Sequence, residues 1–431
     1  MRILIGPVEV AGVAKGLSKG LAELGVTTQL VLSIKHPFAY GGEKKGFLLA
    51  VWQLLGQWRA APNQPFWRKA LAVVLHRAWG FLVLCWALFA FDAFIFLYGQ
   101  TLTDTGLELV ILRRLGKKIV FINVGSDFRP PYMDGSVSPP TDAAPDVSHI
   151  AQLARRAKRK IVLHEKFADF IVSSPSSAHF HERPFINWFS MGVPASFDFQ
   201  PLPETEERGC LRVVHSPSNP VAKGSQIICE VIQQLIDEGV PLELVRLQGV
   251  SNDEVLRQLQ RCDFVVDQLY SDIPMAVLGS EAARLAKPCI VAGYLAGEVG
   301  AYIPQQDVPP SLYVRPEQLR EAIERLVEDA EFRRDLGMRA REFVSQRWAC
   351  KAVAERYLML LNGQARSEWW FDPATIAYVG GCGMPLAHVA SLLALLIETC
   401  GTQSLQVSDK PRLEQALIEL AQQAERKRTD A

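Results

Sequence analysis

No G-x-G-x-x-G follows the opening strand of this chain, which removes the usual nicotinamide and flavin fingerprint. No C-x-x-C pair occurs among the eight cysteines, at positions 85, 210, 229, 262, 289, 350, 382 and 400, so structural zinc is not expected. Their default state is free thiols, several buried, in a reducing compartment. His164, His179 and His181 have no metal-ligand spacing to nearby Cys or carboxylates. Net charge is absent too, with 46 basic and 46 acidic side chains. A membrane span needs about 20 apolar residues, whereas the uninterrupted run Phe81 to Phe91 has 11. Met1-Arg2 leads straight into a strand without a leader. The expected location is therefore the cytoplasm, with membrane association at its inner face.

What is present is a globular composition: 49% hydrophobic and 21% charged residues over 431 positions, enough for two or more domains. The zero total hides an asymmetry. Residues 1–200 carry 22 Lys and Arg against 14 Asp and Glu, while residues 201–431 carry 24 against 32. A basic half suits an anionic partner such as membrane lipid, a lipid-linked phosphate or nucleic acid, and an ordinary solvated surface explains it equally well.

Taken in order, Arg2 to Gly6 reads as a buried strand, Ala14 to Leu24 as a helix stopped by Gly25, and Thr28 to Ser33 as a second strand. Residues 34–69 interleave Lys35, Lys44, Lys45, Arg59, Arg68 and Lys69 with Phe38, Tyr40, Phe47, Trp52, Trp58, Phe66 and Trp67. That pattern fits a membrane interface, an acceptor pocket or plain amphipathic helices. Ala70 to Phe91 reads first as a buried helix feeding the strand Ala93 to Tyr98, second as a monotopic surface helix. A transmembrane helix comes last, because it would split the sheet between two phases. Lys117 to Asn123 is a further strand. Pro130 to Pro145, with five prolines, reads as a surface loop able to act as a lid. Asp146 to Lys160 is a helix with a basic end, Arg155-Arg156-Ala157-Lys158-Arg159-Lys160, either a solvated face or an anionic membrane contact. Asp169 to Ser174 is a strand. Met191 to Pro194 and Pro201 to Glu204 form the connection to a second half with strands at 211–215, 242–247, 264–267, 289–292 and 312–314, and helices between and after them. The tail ends in a charged amphipathic helix, 408–431, read as a self-association element or a solvated terminus.

The chemistry concentrates in Cys262 to Gly293, which reads as strand, loop, helix, strand. Ligands of open α/β sheets bind outside the carboxyl ends of the strands, and a helix N-terminus there can hold a phosphate. The run Ser280-Glu281-Ala282 followed by Lys287-Pro288, together with His215-Ser216-Pro217-Ser218-Asn219-Pro220-Val221-Ala222-Lys223-Gly224, resembles the nucleotide-sugar half of GT-B glycosyltransferases of the family-4 type. Gly125-Ser126-Asp127-Phe128-Arg129 resembles a cleft-facing loop of the same family. The likeness covers roughly residues 1–360 in layout and is specific at few positions.

The resemblance implies an α/β chain of two Rossmann-like doubly wound domains facing a cleft: an acceptor-side domain over 1–200, a nucleotide-sugar domain over 205–362 and a partly helical extension over 363–431. It implies transfer of a sugar from a nucleotide-diphosphate sugar, as co-substrate, to a hydroxyl acceptor of saccharide or lipid-linked type. Polysaccharide or glycolipid assembly is the setting, with peripheral contact to an anionic membrane and no nucleic acid. No bound metal or other cofactor is implied, and no D-x-D stands in a suitable loop. Catalytic candidates carried over are Asp127, Lys223 and Glu281, with Asp127 and Arg129 on the acceptor side. The donor set is Gly12, Ser218, Asn219, Lys223, Gly224, Gly249, Asp272, Ala276, Val277, Leu278 and Glu281. Three departures matter: Ser218 stands where the family often has Arg, Ile273 where it has the first of two Glu, and Asn123-Val124 where it frequently has His. Retaining chemistry therefore turns on whether Asp272 replaces that Glu. A non-catalytic GT-B scaffold of a glycan-assembly complex and a nucleotide-sugar epimerase are the alternatives. Asp127 has a second reading as the cap of its own turn.

Overall fold

The computed structural model describes residues 1–34, 46–141, 143–194 and 209–429. Lys35, Phe38, Tyr40, Lys44, Lys45 and the connection Pro201 to Glu204 lie outside the described residues. The strands are β1 Arg2–Gly6, β2 Thr27–Leu30, β3 Ala93–Leu97, β4 Lys118–Ile122, β5 Phe170–Ser173, β6 Phe185–Asn187, β7 Leu211–His215, β8 Leu242–Arg246, β9 Phe264–Val266, β10 Cys289–Ala292, β11 Leu312–Val314 and β12 Trp370–Phe371. They form two sheets, ordered β12-β6-β5-β4-β3-β1-β2 and β11-β10-β9-β7-β8. All pairings are parallel except β12 on β6.

Parallel strands are covered on both faces, so they read as continuous apolar runs. β3 shows this directly. All five of its residues are buried, with Phe94 and Phe96 in one core and Ile95 and Leu97 in the other. The second sheet repeats the arrangement, with Phe264 and Val266 on one side and Val265 on the other. Each sheet thus has a carboxyl edge where loops and helix N-termini gather.

The helix Cys350–Leu361 crosses back to pack on Val13–Glu23. A Cβ at Gly20 would lie 2.0 Å from the Cys350 carbonyl oxygen, so the contact requires glycine. The residues that follow complete the first sheet: β12 adds an antiparallel edge, and the helices Leu386–Cys400 and Pro411–Thr429 bury Leu393, Leu396, Leu413 and Leu417 in the core that holds Phe94. The terminal helix is therefore a packed element of that core, not a solvated end.

Two further expectations are corrected. Pro130 to Pro145 is not a free lid at its start: Tyr132 and Met133 are fully buried, the Gly135 N–H donates to the Cys382 carbonyl at 2.8 Å, and the Cys382 N–H donates to Met133 at 2.8 Å. The basic helix runs further than read, Val147–Phe167, because Ile161 and His164 continue its buried face. The apolar helix spans Phe66–Ala90 and is buried on one side only, through Ala72, His76, Gly80, Val83, Leu84 and Ala87.

Candidate functional site: a crevice at the carboxyl edge of the second sheet

A cavity of about 580 Å³ opens where β7, β8 and β9 end. Three segments of the second half build it, and one from the first half closes it. After β7, the chain turns through Ser216–Gly224. The Asn219 side chain accepts from the Val221 and Ala222 N–H groups, each at 3.2 Å, so it shapes the loop. Gly224 has φ of 66° and begins the helix Ser225–Asp237; a Cβ there would stand 2.7 Å from that of Leu269. His215 fastens both ends of the loop, with one ring nitrogen 2.7 Å from Ser225 Oγ and the other 2.8 Å from the Val266 carbonyl.

This loop delivers Lys223 to the cavity floor, where its Nζ donates to Asp267 Oδ1 at 2.9 Å. Asp267 is fully buried at the end of β9, and its other oxygen has no partner. The helix Val277–Arg284 begins at Ala276 without a side-chain cap and without an acidic residue in its first turn. Ala276, Val277 and Leu278 line the cavity, so backbone N–H groups of this helix start lie at its wall. Glu281 lies one turn on, nearly fully buried. Burial, and then the nearby Asp267 carboxylate, push its carboxyl up to about 8, opposed by a hydrogen bond with Asn252. Leu247, Val250 and Val255 supply an apolar wall beside Gln248 and Gly249.

The first half contributes Val10 and Ala11 to the same cavity. They precede Gly12, whose φ of 79° starts the helix Val13–Glu23. Glu9 turns inward and accepts from the Ala14 and Lys15 N–H groups at 3.2 and 2.9 Å. Burial nonetheless raises its carboxyl to about 7.

Of the residues singled out by sequence, Ser218, Lys223, Gly249, Ala276, Val277, Leu278 and Glu281 line this one cavity. Asn219 and Gly224 hold its loop, and Gly12 lies beside the lining residue Ala11. Asp272 does not belong to the group. Arg129 donates to Asp272 Oδ2 from Nε and Nη2 at 3.1 and 2.8 Å, and contacts Asp134 at 3.4 Å. Ser177 donates to the same carboxylate and Ser176 to the Asp272 carbonyl at 2.7 Å. Burial would raise the Asp272 carboxyl, but Arg129 and these donors hold it below the usual range. Arg129 and Asp272, read from sequence as acceptor-side and donor-side groups, are thus each other's partners across the two halves. Ile273 packs among the apolar residues between them.

Asp127 caps its own turn, accepting from the Val124 and Gly125 N–H groups at 3.2 and 2.9 Å. Its second oxygen is buried without a partner, and burial pushes the carboxyl up to about 7, with Lys160 acting in the opposite direction. It lies outside the cavity lining. Asp267, which the sequence places beside the crevice at the end of a strand, is absent from the candidate residues and joins the site as the partner of Lys223. Its signal was a carboxylate closing an apolar strand, which alone does not separate a ligand contact from a lysine partner. Among the described residues no group of His, Cys, Asp and Glu could hold a metal ion.

Two α/β units with parallel sheets, a crevice at the carboxyl edge of the second and a helix returning to the first define the GT-B fold. Among solved structures, sucrose-phosphate synthase from Thermosynechococcus elongatus superposes with a TM-score of 0.50 at 15% identity, covering 84% of this chain and 98% of that one. Anabaena HepE in complex with UDP matches with a TM-score of 0.47 at 13% identity over 84% of this chain and 100% of that one. S. aureus MnaA with UDP matches at 0.42 and 12%, over 84% and 96%. No protein-family model matches the sequence, and no curated protein matches it.

Proposed function

We propose that this chain binds a nucleotide-diphosphate sugar in the crevice beside Lys223 and transfers the sugar to a hydroxyl of a saccharide or lipid-linked acceptor. The setting we propose is polysaccharide or glycolipid assembly at the inner face of the cytoplasmic membrane. One observation carries the reading: Lys223, the uncapped helix start at Ala276 to Leu278 and Glu281 share a single cavity of about 580 Å³. A leaving diphosphate needs positive charge and N–H donors aimed where its charge grows. Lys223 would supply the first and the N–H groups of Val277 and Leu278 the second. Glu281, protonated near neutral pH, can both donate to and accept from a ribose hydroxyl. The apolar wall of Leu247, Val250 and Val255 suits a base. Neither Ile273 nor Asp272, which is held by Arg129, supplies the carboxylate on which retention of configuration turns, so retention enters this proposal only as what the resemblance implies, and the anomeric configuration of the product tests it.

A second reading, a donor-binding scaffold without turnover, is favoured by a specific observation. Lys223 is already neutralised by Asp267, and Ser218 brings no charge where an Arg would. A thermal-shift and calorimetric screen against UDP, GDP, ADP, CMP and their sugars separates the outcomes. A ligand that binds only the folded state at a hundredfold excess over Kd stabilises it by about 2.7 kcal/mol. Stabilisation by one nucleotide, followed by release of that nucleotide from its sugar with acceptor present, supports transfer. Stabilisation without release supports the scaffold. Silence toward all of them in folded protein removes both.

A further inference from the structure

A second cavity, of about 490 Å³, lies beside the first sheet and plays no part in the donor reading. The loop 98–106 after β3 forms one wall, the basic helix Val147–Phe167 another, and the end of the helix Phe47–Ala60 a third. Three cations line it: Arg59, Arg159 and Lys160. Asp104 is the carboxylate among them, 3.8 Å from Arg59 and also accepting from the Thr101 N–H at 3.1 Å. Arg159 and Lys160 make no hydrogen bond or ion pair among the described residues, whereas the Thr101 and Thr105 hydroxyls donate to the buried Glu108 carboxylate and leave the anion to the cations. His164 is stacked on Phe121 with centroids 3.8 Å apart and, held by burial down to about 3, stays neutral. The excess of cations over carboxylates makes this a site for an anion.

The surroundings say where that anion comes from. Phe47–Ala60, which carries Arg59, packs on Phe66–Ala90. Trp79 Nε1 donates to the Leu48 carbonyl at 2.9 Å, and Trp52 stacks on His76. A Cβ at Gly80 would reach the Leu102 carbonyl at 2.6 Å, so Phe66–Ala90 lies directly on the loop that walls the cavity. Its opposite face carries Trp67, Leu71, Val74, Ala78, Leu82 and Phe89, all exposed and three, four or seven residues apart, one uninterrupted apolar stripe. Phe66 and Phe89, near its two ends, are 88% and 84% exposed. Exposed Arg68 and Arg77 flank the stripe, and exposed Arg155 and Arg156 extend the basic helix's positive face beyond the cavity. An apolar stripe edged by cations is what lies in the headgroup layer of an anionic bilayer. A spanning role does not fit, because the other face of this helix is sealed against the protein and leads into β3 in the middle of the sheet.

We infer that Phe66–Ala90 lies on an anionic membrane surface and that the neighbouring cavity of Arg59, Arg159 and Lys160 takes the phosphate of a lipid headgroup. This deepens the acceptor half of the proposed function, since it places a lipid phosphate on the acceptor-side domain.

The test is flotation of the full chain with vesicles of phosphatidylcholine alone, or with added phosphatidylglycerol or phosphatidic acid. Binding should rise in that order and fall with salt. Leu71→Glu with Leu82→Glu should abolish flotation in every mixture. Arg159→Gln with Lys160→Gln should weaken binding to phosphatidic acid vesicles by at least about tenfold, the scale set by two basic groups near an anionic surface. Failure of the wild type to float overturns the inference. So does flotation that the stripe variant leaves intact, or phosphatidic acid binding that the cavity variant leaves unchanged. A dimer in analytical ultracentrifugation that Leu71→Glu dissolves, without flotation, assigns the stripe to a second copy instead. Saturation of the cavity by inorganic phosphate, with no preference among vesicles, assigns it to a free anion. Nucleotide-induced thermal shift is measured on the same proteins. It shows that the variants are folded, and its loss in a wild type that still floats sinks only the donor reading.

Discussion

The two crevices of this molecule handle positive charge in opposite ways. On the second sheet a single lysine faces a carboxylate with no access to water, so the crevice is close to neutral before any ligand arrives. On the first, three cations face one carboxylate, and two of them have no ion-pair partner among the described residues. A neutral crevice recognises a ligand by shape and by exchange of partners: a diphosphate there must compete with Asp267 for Lys223. A positive crevice attracts from a distance and depends on salt. The proposed nucleotide selectivity and the inferred affinity for a charged surface should therefore be lost separately.

The largest expected effect comes from removing the lysine. Lys223→Ala leaves Asp267 buried without its cation and should cost about 3–5 kcal/mol of stability. It should also abolish nucleoside diphosphate binding in calorimetry. Asp267→Asn added to that variant should recover most of the stability and none of the binding; recovery of both would erase the distinction between the crevices.

Next is the clamp between the halves. Arg129→Met should cost about 3 kcal/mol in urea unfolding, at the lower end for a broken buried pair. Ser177 and Ser176 still donate to Asp272 in that variant. The two units should then unfold in separate steps, visible as two transitions.

A smaller, pH-dependent effect belongs to Glu281. In the folded protein its carboxyl keeps its proton to about 8, whereas the unfolded chain loses it near 4.5. Between those values the native state binds more protons, so its stability falls as pH rises from about 4.5 to about 8 and is level above. Glu9 and Asp127, both raised to about 7, slope the same way. Glu281→Gln should flatten part of this slope. It should also weaken nucleoside recognition more than phosphate recognition, read as a larger loss for UDP than for pyrophosphate. An unchanged slope would mean that Glu281 is ionised in the fold.

The smallest effect tests whether the apolar stripe is structural. Leu71→Glu alters an exposed position, and its thermal unfolding should stay within about 0.5 kcal/mol of wild type. A larger loss would mean that the stripe is covered by something within the protein itself.

The second half was the more legible from sequence, for a physical reason. Its strands are short β-branched runs separated by helices of clear periodicity, and Leu211–His215 and Cys289–Ala292 were readable residue by residue. The lysine loop and the helix start were legible because glycine, proline and an Asn turn fix their geometry locally. What could not be read was anything set by distant partners. Asp272 looked free to face a ligand until Arg129, far away in the chain, claimed it. β6 and β12 have three and two residues, too few for any period to show. Pro130 to Pro145 looked like a mobile lid because the segment that buries its start lies some 250 positions later, around Cys382.

That last contact bears on how the protein is made. The first sheet's edge strand β6 stays open, and Tyr132 and Met133 stay uncovered, until Trp370, Phe371 and the helices after them have been synthesised. The second sheet and its covering helices are complete by Leu361. On the ribosome the usual order, amino-terminal unit first, should therefore be reversed. The second unit should acquire protease resistance while its predecessor still waits, and a chain stalled before Trp370 should yield a protected fragment from its carboxyl-terminal part alone.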